Sequence, residues 1–299
     1  MNFSSVLKIT PVSTPRAFQE LLGGQLGEVH SRLEALRKKS SSEEIHQLRV
    51  LTRRTRATCQ TLQSIQANSA LKSLHRALRS LTRKLGPIRA LDVSYEDLTS
   101  RSIQRVIKGQ APYGFLIKPL NRQRRMLRKK MKGQLKKRKR LAAILSVSLE
   151  DYWGPIDAKQ FTSGFLEHGE QSFRSVERAW KKFQKSKEIK DLHQIRIQLK
   201  KLRYLQEISF QCFGETTEDS IQKFKQLQDR LGHIHDLQSL VLHLRQKEIR
   251  KKVQKKNKAK QGLYEDLLKN LKASIESEVL NFHNEGASVL RPLLKGVSR

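Results

Sequence analysis

One basic helical motif occurs twice in this chain, and the spacing of its copies constrains the fold more than any other feature. His46-Gln-Leu-Arg49 is followed by Arg53, Arg54 and Arg56, and His193-Gln-Ile-Arg196 by Lys200, Lys201 and Arg203. In each copy the basic residues stand 3, 7, 8 and 10 positions after the histidine. At about 100° per residue in an α-helix, positions 0, +3, +7 and +10 fall within a sector of roughly 80°. His46, Arg49, Arg53 and Arg56 therefore form one stripe, and His193, Arg196, Lys200 and Arg203 its twin. Two such stripes on paired helices can line a channel for a strongly and repeatedly anionic partner.

The duplication extends well beyond the motif. A shift of 147 places Phe18 on Phe165, Val29 on Val176, Leu33 on Trp180 and His46 on His193. A shift of 146 then places Leu85-Gly86 on Leu231-Gly232, Ile88 on Ile234 and Leu91 on Leu237. The period is too long for a solenoid, whose units usually span about 20–50 residues. The expected organisation is a short leader at 1–14, a first helical half at 15–150 and a second at 151–299.

Helix is expected almost throughout. Pro15 suits a first helical position, and Ser41-x-x-Glu44 forms a capping box ahead of the first motif. Leu48, Leu51, Cys59 and Leu62 follow helical spacing away from the basic stripe, so one face packs while the other binds or is solvated. The helix over about 69–84 is expected to stop near Gly86-Pro87. A turn is expected from Gly109 to Gly114, and a long basic helix over about 115–149. After Gly154-Pro155, helices are expected near 157–185, 188–213, 217–231, 234–258 and 260–294, with Gly214 as a C-cap. No alternating apolar pattern is long enough to support a sheet.

Charge narrows the partner. Lys and Arg number 61 against 28 Asp and Glu, a formal net charge of +33. Such an excess favours polyanions: nucleic acid, acidic lipid surfaces or inorganic phosphate chains. No run of about 18 apolar residues is present, which argues against a transmembrane span. The N-terminus lacks the charged start and apolar run of a signal peptide. Cys59 and Cys212, with no Cys-x-x-Cys spacing, fit a reducing cytosol without structural zinc. A cytoplasmic protein needing no cofactor is expected.

HQLRVLTRRTR, LGPIRALDV, LHQIRIQLKKLRYLQE and LQDRLGHIHDLQ, in that order, resemble the CHAD domain, the conserved histidine α-helical domain. The resemblance covers about 15–295. It implies an all-α fold of two four-helix bundles related by a pseudo-twofold, with a basic central channel. It also implies binding of inorganic polyphosphate without catalysis. The first half departs from the family's usual Arg-Asp-x-Asp, reading Arg89-Ala90-Leu91-Asp92, so a contact by residue 90 is lost. No segment resembles the triphosphate-tunnel enzyme domain fused to some relatives, so a stand-alone member is expected.

The motif chemistry agrees. A phosphate chain offers many identical oxyanions and no base edges. Arginine grips it through forked, bidentate hydrogen bonds, whereas lysine is a compact point charge. Histidine donates one N–H while neutral, and a polyanion beside it favours the protonated form. Whether the histidines touch phosphate or orient the arginines stays open. Glu207, four residues after Arg203, is placed to hold that guanidinium in an intrahelical ion pair. Arg89 and His235 occupy equivalent positions and are candidate phosphate contacts. In the basic segment 118–140, spacing selects Arg122, Arg125 and Lys129 as the inward stripe, although neighbouring stripes fit the same periodicity.

Other functions compete for the same residues. In His233-Ile-His235-Asp236, the pair His235-Asp236 could be the centre of a metal-dependent phosphohydrolase, but residues one or two apart on a helix do not face one another, and the first half has Arg89 and Ala90 where the second has His235 and Asp236. No metal site is expected. Salt-sensitive affinity for DNA or RNA follows from charge alone. Aromatic residues are 6% of the chain, and Tyr204 is the single aromatic of the stripes suited to base stacking. A role in docking onto polyphosphate granules would extend the same binding. Membrane-surface binding lacks a helix combining a basic face with exposed Trp and Phe anchors.

Overall fold

The computed structural model describes residues 14–38, 40–99, 114–136, 157–213 and 218–295. All regular structure among them is helical. The nine helices of the described residues are α1 (Thr14–Lys38), α2 (Ser42–Ile65), α3 (Ser69–Thr99), α4 (Gly114–Lys136), α5 (Ala158–Ser186), α6 (Ile189–Phe213), α7 (Glu218–Leu244), α8 (Lys247–Gln254) and α9 (Lys258–Lys295). The leader before Thr14, the Gly109–Pro112 turn, the basic stretch beyond 136, Gly154-Pro155, the boundary at 150/151 and the Gly214 cap lie outside the described residues.

Helices α1 to α4 pack as a ring, α1 on α2, α2 on α3, α3 on α4 and α4 back on α1; α5, α6, α7 and α9 close a second ring. Between the rings α2 meets α6, α3 meets α7, and α1 with α2 meets α5 with α6. Phe18 and Phe165, aligned by the 147-residue shift, meet edge-on with centroids 5.7 Å apart. Contact between equivalent residues is what an isologous interface produces. Phe161 lies 4.9 Å from Phe18 and Phe213 5.4 Å from Phe165, extending the aromatic seam. Ser94 Oγ and His243 Nδ1, 2.6 Å apart, link α3 to α7.

Local chemistry sets the helix ends. Ser41 Oγ accepts from the Glu44 backbone N–H at 3.0 Å, and Asp157 accepts from those of Lys159 and Gln160. Each satisfies donors that a helix start leaves open. Lys187 closes α5 in the left-handed region, φ 52°.

Two expected helix ends are corrected. α3 does not stop at Gly86-Pro87 but continues to Thr99. Leu71, Leu74, Leu78, Leu81, Leu85 and Ile88 keep one buried face in register through the proline. Burial of several leucines, about 1.5–3 kcal/mol each, outweighs the roughly 3 kcal/mol penalty of an internal proline. Pro87 and Arg83 both lie on the exposed side, where water can satisfy the Arg83 carbonyl that Pro87 leaves without its N–H. α7 likewise runs unbroken to Leu244, across the expected break at 231–234, because Leu227, Leu231, Ile234, Leu237 and Leu240 form one buried face. Short α8 follows, burying Ile249 and Val253.

Candidate anion-binding site

The motif helices α2 and α6 face each other, and their stripes form one electrostatic field. Leu48, Leu51, Cys59 and Leu62 of α2 are buried, as are Ile195, Leu199, Leu202 and Leu205 of α6. These faces anchor each helix and leave its basic stripe at the contact.

On α2, Arg49 Nη1 donates to the Thr82 carbonyl at 2.8 Å. It reaches that carbonyl over Gly86, where an added Cβ would stand 3.3 Å from Nη1, so the helix presents backbone to the arginine. Burial, then Arg53 and Arg89, pushes Arg49 down to about 10. Arg53 and Arg56 are half-buried, and the Nε of each has no hydrogen-bond partner among the described residues. Arg54 is exposed, and its Nε donates to Glu207 Oε2 at 2.9 Å. Burial lowers His46 below the usual histidine range, with Arg89 the next cause. Arg89 donates to Ser42 and to the Glu96 carboxylate.

On α6, His193 is exposed and its ring lies 5.4 Å from that of His235. Arg196 Nε and Arg203 Nε are buried and lack partners among the described residues. Arg203 Nη1 meets Glu207 Oε1 at 2.9 Å, the expected ion pair. Glu207 thereby ties both motif helices, a link the intrahelical spacing did not reveal. Lys200 is pushed down to about 7, first by burial and then by Arg196, Arg53 and Arg203. Lys201 is exposed. His235 is pushed down to about 4 by burial, followed by Arg196, His193 and Lys200. Burial raises Asp236 above the usual carboxylate range, although Arg196, Lys200 and Arg89 oppose it.

Tyr204 marks the centre of this field. It is 6% exposed, its hydroxyl has no partner among the described residues, and Arg203 Cζ stands 5.0 Å from its ring centroid. Arg49 and Arg56 of α2 and Arg196 of α6 lie within electrostatic range of it. From Arg53, Arg56, Lys200 and Tyr204 a cavity of about 930 Å³ opens toward α3 and α5. His75 and Arg79 on α3 and His168 on α5 line it as well. These three lie outside the repeated motif. His75 and Arg79 stand one turn apart, a weak signal on an otherwise ordinary amphipathic helix.

The inward stripe of α4 needs correction. Arg122, Arg125 and Lys129 are exposed. Arg124 and Arg128 turn inward, reaching Asp92 Oδ1 at 2.6 and 2.8 Å. Arg124 also lies 4.2 Å from the Tyr95 ring centroid. Periodicity leaves the stripes of a helix charged all round equivalent, and the buried Asp92 carboxylate selects one of them. Asp92 is itself the aspartate that the first half retains from the Arg-Asp-x-Asp pattern.

Among the described residues, no three His, Cys, Asp or Glu side chains are grouped so as to hold a metal ion, and no helix is long and apolar enough to cross a membrane. Burial pushes both Cys59 and Cys212 up to about 12, leaving inert thiols.

The CHAD domain profile matches residues 20–245. Among solved structures, the CHAD domain from the plant Ricinus communis is similar with a TM-score of 0.69 and 15% identity, over 97% of this chain and 96% of that one. PptA from Streptomyces chartreusis is similar with a TM-score of 0.62 and 15% identity, over 92% of this chain and 98% of that one. At such identity these likenesses bear on the fold alone. No protein of curated function matches the chain.

Proposed function

The chain belongs to the CHAD domain family, and from that premise we propose that it binds inorganic polyphosphate between the basic stripes of α2 and α6 without turning it over. The observation that carries this reading is the set of buried donors without acceptors: Arg53 Nε, Arg56 Nε, Arg196 Nε and Arg203 Nε. A buried unsatisfied polar group costs about 1–3 kcal/mol. A string of phosphate oxyanions would satisfy all four at once. Each stripe spans ten residues of helix, about 15 Å, so successive phosphates would meet successive turns. The resemblance to the family implies the same ligand.

Nucleic acid competes for the same charge. Its bases, however, need stacking surfaces, and the one aromatic in the stripes, Tyr204, is buried with a guanidinium beside its ring. Turnover would require groups that stabilise a transition state more than the ground state, and a near-uniform row of cations binds both about equally. Docking onto polyphosphate-rich granules would follow from the affinity itself.

Competition binding tests the reading. Long-chain polyphosphate and DNA at equal phosphate concentration are titrated across a salt series, with released orthophosphate monitored with and without magnesium or manganese. Polyphosphate is expected to retain binding at about 0.15 M salt where DNA is displaced, with no orthophosphate released. Equal competition at every salt concentration would reduce the site to general charge attraction. Metal-dependent release abolished by His235→Ala would make the protein a hydrolase.

A further inference from the structure

Lys200 stands among cations with no acid paired to it. Arg196 lies one turn before it on α6 and Arg203 one turn after it, while Arg53 approaches from α2. Asp236 on α7 is the acidic group in range, and the three arginines outweigh it. Among the described residues, no carboxylate forms an ion pair with the Lys200 amine and no acceptor takes its hydrogens. The side chain is nevertheless reachable, since Lys200 is half-buried and lines the cavity of about 930 Å³. Burial and this crowding leave the amine at about 7 instead of 10.5. At pH 7 about half of it is unprotonated, against about one in three thousand for an ordinary lysine.

An unprotonated amine is a nucleophile, and burial or a neighbouring cation activates lysines in this way. The rest of the cavity selects the electrophile. Arg53 and Arg56 line it beside Lys200, and among the described residues no carboxylate pairs with either guanidinium. Guanidiniums hold a phosphate group through forked hydrogen bonds. A small molecule that joins a phosphate to an electrophilic carbon is therefore held by the arginines within reach of the amine, and such positioning accelerates attack. The cavity falls within the range of about 300–1,000 Å³ usual for small-molecule sites.

We propose that Lys200 is a site of acylation by acyl phosphates, which dock their phosphate on Arg53 and Arg56 and present the carbonyl carbon to the Lys200 amine. The amine lone pair forms an N–C bond, and the C–O bond to phosphate breaks. Phosphate leaves with that electron pair and takes up the proton that the nitrogen releases. Nothing is oxidised or reduced, and the products are an acylated lysine and inorganic phosphate. The guanidiniums that bind the phosphate also stabilise it as it leaves. The amide is neutral, so acylation removes a cation from the α6 stripe. The proposal rests on the anion-binding reading of the stripes and adds a covalent modification that loosens their grip.

The test compares two acetyl donors on the full chain at pH 7 and one ionic strength. Acetyl phosphate carries the phosphate; the N-hydroxysuccinimide ester of acetic acid carries the same acyl group without it. Peptide mass spectrometry reads the rate at each lysine. Lys201, exposed on the same cavity, and Lys269 and Lys272, exposed on α9, are the references. Acetyl phosphate is expected to modify Lys200 at least about tenfold faster than any of the three. With the ester, the preference over the α9 lysines should be at least about threefold smaller, because no phosphate docks. Rates at Lys200 no higher than at the references, or an equal preference with both reagents, would overturn the proposal. Long-chain polyphosphate titrated against the unmodified protein separates this idea from the function on which it rests. Polyphosphate binding without selective acetylation removes only the present proposal. Selective acetylation by acetyl phosphate without polyphosphate binding supports it and removes the other.

Discussion

On α3 the residue 146 positions before Asp236 is Ala90, and the residue 146 positions before Gln238 is Asp92. Each half thus carries one aspartate at this turn, in different places. In the first half Asp92 is fully buried beneath α4, where Arg124 and Arg128 share it. In the second half Asp236 faces the stripe, near Arg196 and Lys200. The basic residues differ to match. The α2 stripe holds Arg49, Arg53 and Arg56, and even Arg49, pushed down to about 10, stays charged at neutral pH. The α6 stripe holds Lys200 at about 7, with His235 at about 4 beside it. One wall is a fixed charge and the other titrates. The two copies of the motif therefore differ in charge response, one constant near neutral pH and the other pH-dependent.

The largest expected effect separates equivalent positions of the two halves, Asp92 and Gln238, by stability. Asp92→Ala leaves two guanidiniums facing a buried space, and breaking a buried pair in this way costs about 3–5 kcal/mol. Arg128 is partly exposed, so the lower end applies. Gln238→Ala, at the equivalent position, should cost no more than about 1 kcal/mol. Urea denaturation of both variants measures the contrast. Similar losses would mean that Asp92 does not anchor α4.

Next comes the division between the stripes. Arg53→Ala/Arg56→Ala should weaken polyphosphate binding about thirtyfold at both pH 6 and pH 8, since guanidinium charge is constant over that range. Lys200→Ala/Arg203→Ala should cost only about tenfold at pH 8 and about thirtyfold at pH 6, where Lys200 carries its full charge. Parallel titrations at the two pH values decide it. A pH-independent ratio between the pairs would make the walls equivalent.

The same lysine predicts a proton linkage. Its folded value, about 7, lies below the 10.5 of a free lysine, so between those values the unfolded chain binds more protons than the folded one. The stability of the ligand-free protein therefore rises with pH across that window. A polyanion restores the charged amine, so complex formation takes up a proton there, and affinity falls with rising pH by up to about tenfold per unit. Calorimetry at pH 8 in buffers of different ionisation enthalpy should detect uptake in the native protein and lose it in Lys200→Arg. Unchanged uptake in that variant would assign the proton to another group.

Much of this architecture was legible in the sequence because it rests on periodicity. The 3- and 4-residue spacing of Leu81, Leu85, Ile88 and Leu91, and its recurrence 146 positions later as Leu227, Leu231, Ile234 and Leu237, records burial directly. The proline in α3 was not legible as an internal residue, since its local cost is visible while the leucine face beyond it acts through tertiary packing. The inward choice of Arg124 and Arg128 over Arg122, Arg125 and Lys129 was hidden for a related reason. It depends on a single carboxylate 32 and 36 residues away. His75, Arg79 and His168 reach the cavity from helices outside the motif, where no repeat drew attention to them.

The smallest expected effect concerns Glu207, whose carboxylate links α2 to α6. Glu207 meets Arg54 of α2 and Arg203 of α6, each at 2.9 Å, with its side chain 28% exposed. A partly exposed bridge of this kind contributes only about 0–1 kcal/mol, so Glu207→Gln should leave the fold intact. It should nevertheless sharpen the contrast between the walls. Released from the carboxylate, Arg54 adds a charge to the fixed wall and Arg203 one to the titrating wall. Both then become available to phosphate. Affinity for polyphosphate should rise about threefold at low ionic strength, and the gain should shrink as salt screens the added field. Titration of Glu207→Gln at two salt concentrations reads this directly. A loss of affinity would instead mean that Glu207 acts chiefly by holding Arg203 in its binding geometry, and the comparison would then rest on rigidity as well as charge.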